Sequence, residues 1–451
     1  MSEEYTIHKC TDFLFEDETT EGTAPTFAGA DVILAQQGGE VKLGRTSVDR
    51  NLMTGNLDSL GHIVTGYDAS ATFTTELKGS GTHGTAPKTG DLFKNVFGAE
   101  SVGVAGTVEA SPSPTTTGCT TTGDTTAAGH IARVETTGTL HEYVRVLTSA
   151  ANAHTWWPPT TAAPDTGDDW FPGIAYLLKS ARTDFTSGCL AAYPGGSGLK
   201  IVMPGARGKC KIRLKVNEPA YVDWEFKSLW YTIEQAAQLT TTPDVTYKPP
   251  VCRGIITYWY YDGVGDSGCT TESTVVVATP NWEATTDDYL IIDTGSSTYE
   301  TQQITGWTYA TQTATTSAFG GALSEGEDCY LRRNMEINNL EIDIDPGWEM
   351  ADVSSATYGH KAQVATNRKV TVDFEKYFKS DYEYLMRDNL TAVEIWAVLG
   401  TTSGQIIAIN CPNVLYRDVA HNSDALSMVS VGAQSYMNSV AGNDTVLLTF
   451  L

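Results

Sequence analysis

Several groups of residues have types and spacing that could carry chemistry. Gly265-Asp266-Ser267-Gly268 is the setting of a nucleophilic serine, and Ala127-Ala128-Gly129-His130 offers a histidine as its base. Such a pair works only when a buried carboxylate orients the histidine and placed amides receive the oxyanion. Here the serine follows the turn Tyr260-Tyr261-Asp262-Gly263, and Cys269 stands where that motif continues with a second glycine. Gly79-Ser80-Gly81-Thr82-His83-Gly84 has the spacing of a dinucleotide loop, which needs a helix to open at once beneath the pyrophosphate. Thr85-Ala86-Pro87-Lys88-Thr89 continues as loop instead.

The eight histidines (8, 62, 83, 130, 141, 154, 360 and 421) show no short-range metal spacing. The eight cysteines form no C-x-x-C pair and read as free, mostly buried thiols. Trp156-Trp157 could stack on a sugar or fill a core. Carboxylates are abundant, but alternation along strands makes them solvated faces rather than a glycosidase pair. No catalytic residue, cofactor or metal is expected.

The elements that would position these residues are strands with period-two alternation. Ala71, Phe73 and Thr75 alternate with Thr72, Thr74 and Glu76, and Ile212, Leu214 and Val216 with Lys211, Arg213 and Lys215. Val222, Trp224 and Phe226, then Ile342 and Ile344, then Val370, Val372 and Phe374 repeat the pattern. Each such strand buries one face, as antiparallel sheets do. Two short helices interrupt: Asp91 can cap 92–97, which stops at Gly98, and Ser380-Asp381-Tyr382-Glu383 has capping-box spacing.

The expected fold is mainly β, an antiparallel sandwich or barrel, duplicated, with short flanking helices and two inserted small β modules. The boundaries are an N-terminal arm at 1–28, ordered when a partner buries Phe13-Leu14-Phe15, and a first half at 29–110 and 171–239. Residues 111–170 form an inserted module, 240–254 a linker, 255–333 a second module and 334–451 the second half. The duplication is read from the order of strands, capped helix and strands. The modules are read as relatives because Gly118-Cys119-Thr120-Thr121 with Thr137-Gly138 matches Gly268-Cys269-Thr270-Thr271 with Thr294-Gly295.

The net charge of -25, from 29 basic and 54 acidic residues, argues against ordinary nucleic-acid binding. The acidic N-terminus has no signal-peptide pattern and no apolar run reaches a membrane span, so assembly in a cytoplasm without a membrane partner is expected.

The stretches Val64-Thr65-Gly66-Tyr67-Asp68-Ala69-Ser70-Ala71, Pro204-Gly205-Ala206-Arg207-Gly208-Lys209-Cys210 and Thr366-Asn367-Arg368-Lys369-Val370-Thr371-Val372-Asp373-Phe374-Glu375 carry a resemblance. With Gly404-Gln405-Ile406-Ile407-Ala408-Ile409, they are similar to the tail tube proteins of long-tailed bacteriophages. The resemblance covers about two-thirds of the chain and excludes both modules. It implies a non-enzymatic virion protein, made in the bacterial host, whose rings stack into a tube around a tape-measure protein. Tail terminator and distal tail proteins would be further partners, and DNA would pass through without specific binding. Asp223, Glu225, Glu341, Asp343 and Asp345 are the candidates for a lumen-facing acidic wall. Duplication favours three chains per ring over six. The rival reading is a baseplate or adhesin-type β protein that binds host-surface glycans through Trp156 and Trp157; a hydrolase is a remote third.

Overall fold

The first strand, β1 (Asp12–Asp17), is built on Phe13-Leu14-Phe15, and all three side chains are buried by the chain itself. Phe13 stacks on Phe73 at 5.0 Å and Phe15 meets Phe226 at 5.3 Å. The arm expected to wait for a partner is thus part of the core, because these aromatics complete it. The structure, a computed structural model, describes residues 12–50, 60–136, 140–196, 198–252, 256–265, 273–279, 284, 286, 288–293, 299–308, 311–320, 327–352, 360–378, 382–422, 427–438 and 443–451.

After β2 (Val32–Ile33), the long strands β3 (Glu40–Arg50) and β4 (Leu60–Glu76) pair as a hairpin. Helix α1 (Gly90–Phe97) takes Asp91 into its first turn and stops at Gly98, whose φ of 93° lets its amide bond the Lys94 carbonyl. Phe93 drives this helix into the core against Trp224, at 4.9 Å, and Phe450, at 5.7 Å. Strand β5 (Glu100–Val102) then leads to six strands that close a barrel: β6 (Gly106–Val108), β7 (Gly118–Thr122), β8 (Ile131–Thr136), β9 (Leu140–Ala150), β10 (Ala153–Trp157) and β11 (Asp169–Pro172). The chain returns through β12 (Ile174–Leu177), β13 (Gly188–Tyr193), β14 (Leu199–Lys215), β15 (Tyr221–Ser228) and β16 (Thr232–Gln235).

A second group follows: β17 (Ile256–Gly265), β18 (Thr274–Thr279), β19 (Tyr289–Asp293), β20 (Tyr299–Thr308), β21 (Thr313–Thr316) and β22 (Asp328–Asn334). Its pairings, β17·β18, β18·β21, β21·β20, β20·β19, β19·β22 and β22·β17, also close a ring. They repeat step for step β6·β7, β7·β10, β10·β9, β9·β8, β8·β11 and β11·β6. One side-chain device recurs. Glu142, opposite Val134, accepts the Thr161 amide at 2.9 Å, while Glu300, opposite Ile292, accepts the Gly320 amide at 2.7 Å. The Gly-Cys-Thr-Thr match is out of step, however. Gly118 faces Thr155 as Thr274 faces Thr315, so the counterpart of Gly118 is Thr274, and the second tetrapeptide lies outside the described residues.

The last group is β23 (Ile337–Asp345), β24 (Trp348–Asp352), β25 (His360–Ala365), β26 (Lys369–Tyr377), α2 (Tyr382–Asp388), β27 (Val393–Leu399), β28 (Ile407–Asn422), β29 (Met428–Ser435) and β30 (Leu447–Phe450). Ser380 and Asp381, and with them the capping box, lie outside the described residues; Glu383 is buried against Lys376. The run β23-β26-α2-β27-β28-β29-β30 repeats β3-β4-α1-β13-β14-β15-β16. Both long strands bend at a proline. The β13·β14 register skips Pro204-Gly205, passing from Leu190↔Met203 to Gly188↔Ala206, and the β27·β28 register skips Pro412-Asn413 in the same way. Proline has no amide to give a ladder, so it sits at a bulge, and the bend sends the two ends of each strand into different sheets.

Two layers result. Strands β3-β4-β15-β14-β23-β26-β29-β28 form one antiparallel sheet, paired through the C-terminal ends of β14 and β28. Strands β27-β28-β30-β12-β5 form a second, paired through the N-terminal end of β28. Ile212, Trp224, Ile342 and Phe374 from the first sheet share one core with Ile395, Ile409 and Phe450 from the second. The far side of the second sheet is also covered: Trp396, Val398 and Leu447 pack with Ile131, Tyr260 and Ile291 of the two barrels. That double covering leaves every residue of β27 buried.

Two predictions follow from the barrels. His130 is buried, and desolvation pushes it down to about 4. A lowered folded pKa means the unfolded chain binds the proton more readily, so stability is intact above the ordinary value near 6.5 and is lost as pH falls toward 4. Denaturant melts of wild type and His130→Gln should diverge on acidification, with wild type losing about 2 kcal/mol more between pH 6.5 and 5; parallel pH profiles would contradict this. Replacing Glu142 or Glu300 by Ala should each cost about 1 kcal/mol, with additive effects in the double variant, since the two loops share no partner. Melts of the three variants check it.

Candidate functional site

The catalytic patterns dissolve in three dimensions. Asp266, Ser267 and Gly268 lie outside the described residues. The His130 Nε2 pairs with Ser101 Oγ at 2.7 Å and its buried Nδ1 has no partner, so no carboxylate orients it. The glycines at 79–84 serve backbone packing: the Gly81 amide donates to the Gly404 carbonyl at 2.9 Å, and a Cβ on Gly79 would collide with that same carbonyl. No helix opens there; α1 begins at Gly90. Among the described residues no cluster of His, Cys, Asp and Glu could hold a metal ion, and no helix is long and apolar enough to cross a membrane.

The two tryptophans part company. Trp156 is 1% exposed in the first barrel, its Nε1 donating to the Thr116 carbonyl at 3.0 Å. Trp157 instead bridges the barrels and the core. Its ring lies 4.4 Å from Tyr330 and its Nε1 donates to Glu394 at 2.7 Å, beside a cleft of about 530 Å³. Glu394 also accepts from Trp396 Nε1 at 3.0 Å and Asn410 Nδ2 at 2.7 Å, with Arg145 3.6 Å away. This hub locks the units together.

The five acidic candidates do gather on one face, the uncovered side of the first sheet. Their strands β15 and β23 flank β14, whose Lys209, Lys211 and Arg213 point the same way, so the face is not an unbroken acidic wall. Arg213 Nε lies 2.6 Å from Asp223, which also accepts from the Thr74 hydroxyl at 2.6 Å. Lys209 reaches Glu225 at 3.0 Å, and Lys211 pairs with Glu341. Carboxylates on adjacent strands repel, and interleaved cations offset that cost. Burial tends to raise Glu341, but bonding to Lys211 and Asn339 holds it below the ordinary range. Asp343 goes up, chiefly through burial, with Lys209 opposing and Asp345 adding to the rise. Asp373 goes up for the same first reason. Sequence alternation put these residues on exposed faces but could not show which strands would be neighbours.

Alternation did not mark the sheet's open ends. Among the described residues β3 pairs only with β4, and residues 415–422 of β28 pair only with β29. Apolar side chains stand exposed near both edges: Leu43, Val48 and Ile63 at one, Leu390, Tyr436 and Met437 at the other. Exposed edges and apolar patches are places where another chain binds.

Lys211→Met should lower stability at pH 7 by about 1 kcal/mol, a figure kept small because over a third of the Lys211 side chain is exposed. Without the cation the folded-state pKa values of Glu341, Asp343 and Asp373 rise, so the deficit should shrink as pH falls from 7 toward 4. Paired melts across that range check the sign.

A scan of protein-family models finds no match to this chain, and a comparison with curated proteins finds no significant one.

Proposed function

We propose that this chain is a structural subunit that closes into rings, three copies to a ring with six half-units round the axis, and that the rings stack into the tail tube through which phage DNA passes. The observation that carries this reading is the junction between the halves. β14 of the first half pairs with β23 of the second from Cys210↔Ile344 to Lys215↔Asn339. The counterparts of those two strands are β28 and β3, whose matching edges are open. Cys210 faces Trp224, which faces Phe73; Val419 faces Val431, which faces Phe374. Val419 is therefore the counterpart of Cys210, and Leu43 that of Ile344. If one copy's β28 repeats this junction with the next copy's β3, Val419 comes opposite Leu43.

Such a contact is head-to-tail, and it closes when the rotation per copy fits. Closure pairs both edges and covers Leu43. The charged face would line the lumen, since the barrels stand on the opposite side of the sandwich. Its lysines and arginines are engaged by carboxylates, which leaves few free cations to neutralise phosphates and hold DNA. Tape-measure, terminator and distal tail proteins remain the partners that the tail tube resemblance implies, and the virion tail the location.

Leu43→Cys with Val419→Cys tests the junction. Opposed residues of an antiparallel pair lie about 4.5–5.5 Å apart between Cα atoms, within disulfide range. The native cysteines among the described residues are buried. Oxidation should give a covalent ladder that ends at three chains. An uncrosslinked monomer would count against the reading.

A further inference from the structure

We infer that the outer part of the β3–β4 ribbon, residues 47–50 and 60–64, is an arm that seats on the neighbouring copy, in a site formed by Leu390, Tyr436, Met437 and the bend at Pro412-Asn413. This rests on the ring reading above and adds to it a second contact, separate from the edge pairing.

The arm is longer than the sheet that supports it. Residues 69–76 of β4 pair with β15, whereas residues 60–68 pair, among the described residues, with no strand but β3, and Tyr67 near the base meets Tyr231 at 5.9 Å. A two-stranded ribbon alone is marginal in water. This one also exposes Val48, at 56%, and Ile63, at 55%.

The second half contains the same hairpin already seated. Ser47↔Val64 and Val48↔Ile63 in the first half correspond to Trp348↔Ala365 and Glu349↔Val364 in the second, every residue displaced by 301 positions (348 − 47). The register shift that precedes each hairpin falls at the same place: Thr46↔Gly66 passes to Ser47↔Val64, and Asp345↔Lys369 passes to Trp348↔Ala365.

In the second half this hairpin, β24–β25, leaves its own sheet and lies on the bend of the first half. Trp348 Nε1 donates to the Gly208 carbonyl at 2.8 Å, and its ring meets Phe185 edge-on at 5.2 Å. The Arg207 guanidinium lies 4.7 Å above that ring. Gln363 donates to the carbonyls of Gly205, at 2.9 Å, and Lys227, at 2.7 Å.

Each part of that seat has a counterpart in the second half, where the apolar side chains stand exposed, although the Asn413 carbonyl already accepts the Tyr436 amide at 2.8 Å. Gly205 follows the bend proline as Asn413 does. Lys227 faces Arg207 as Gln434 faces Leu415. Phe185 precedes β13 by the same three residues that separate Leu390 from β27. Phe185 is 7% exposed beneath its hairpin, whereas Leu390 is 70% exposed, with Met437 at 61% and Tyr436 at 37% close to the same bend. Among the described residues, the segment that shares the first two pairs of that register and exposes apolar side chains is the β3–β4 hairpin. Its own chain has used the first seat for β24–β25, so the occupant of the second is the next copy. His62 stands where Gln363 does, and it can donate a ring N–H to the carbonyls at the bend.

Two variants test this, with the Leu43–Val419 crosslink as reference for the ring itself. Leu390→Lys with Met437→Lys alters residues that are exposed in the single chain, so the monomer should melt as wild type does. Rings should then require at least ~10-fold more protein to form. Separately, Ser47→Cys with Leu390→Cys should give, on oxidation, a ladder that ends at the same chain number as the Leu43–Val419 pair. Unchanged assembly of the lysine variant while the edge crosslink still forms would overturn the seat and leave the ring reading intact. A Ser47–Leu390 ladder running past one ring would place the arm on an adjacent ring instead, and would overturn it too. Failure of the Leu43–Val419 crosslink would remove the ring reading, and this inference with it.

Discussion

A β-strand with no neighbour leaves a row of amides and carbonyls unpaired, and the architecture turns on where this chain leaves such rows. Each half-unit brings four strands to the first sheet and ends with an open edge on either side. Inside the chain, one pair of those edges is satisfied by β14 and β23, with Lys211 opposite Asp343 and Arg213 opposite Glu341. Among the described residues the other pair, on β3 and β28, stays open. The proline bends matter for the same reason. They free the C-terminal end of each long strand to serve the first sheet while the N-terminal end builds the layer behind it.

The two barrels solve a different problem. The second sheet is apolar on both faces, and a half-unit alone would expose Trp396, Val398 and Leu447. The barrels cover them, and the Trp157–Glu394 contact fixes their position by a hydrogen bond that would cost energy to leave unmade in a buried setting. The first barrel is spliced in between β5 and β12. The second shares β17 with the second sheet, because that strand pairs with β27 along its first residues and with β22 and β18 further on. Small modules with the same connectivity can thus be attached by quite different routes.

Much of this was legible in the sequence. Period-two alternation marked β14, β15, β23 and β26, and the glycine at 98 marked the end of α1. The order of strands, helix and strands showed the repeat of the halves, although Trp224 answers Val431 and Cys210 answers Val419, because backbone register survives where side chains do not. Other features depend on distant neighbours, and no local pattern holds them. Phe13-Leu14-Phe15 reads as an arm until Phe73 and Phe226 are seen beside it. Val216 continues an inward series on paper, yet β14 ends at Lys215 and Val216 is exposed. The candidate carboxylates were visible as a polar face, but the lysines that answer them lie on another strand, and only the sheet order brings the two together.

Duplication gives the account a consequence in symmetry. If the open edges of β3 and β28 meet as β14 and β23 do, three chains complete a ring whose wall has six similar units but whose pair of barrels repeats only three times. Averaged end-on electron-microscope views of assembled particles read this directly. The account predicts three-fold symmetry with six wall densities. A ring of six chains with strict six-fold symmetry, or a particle with no closed ring at all, would contradict it.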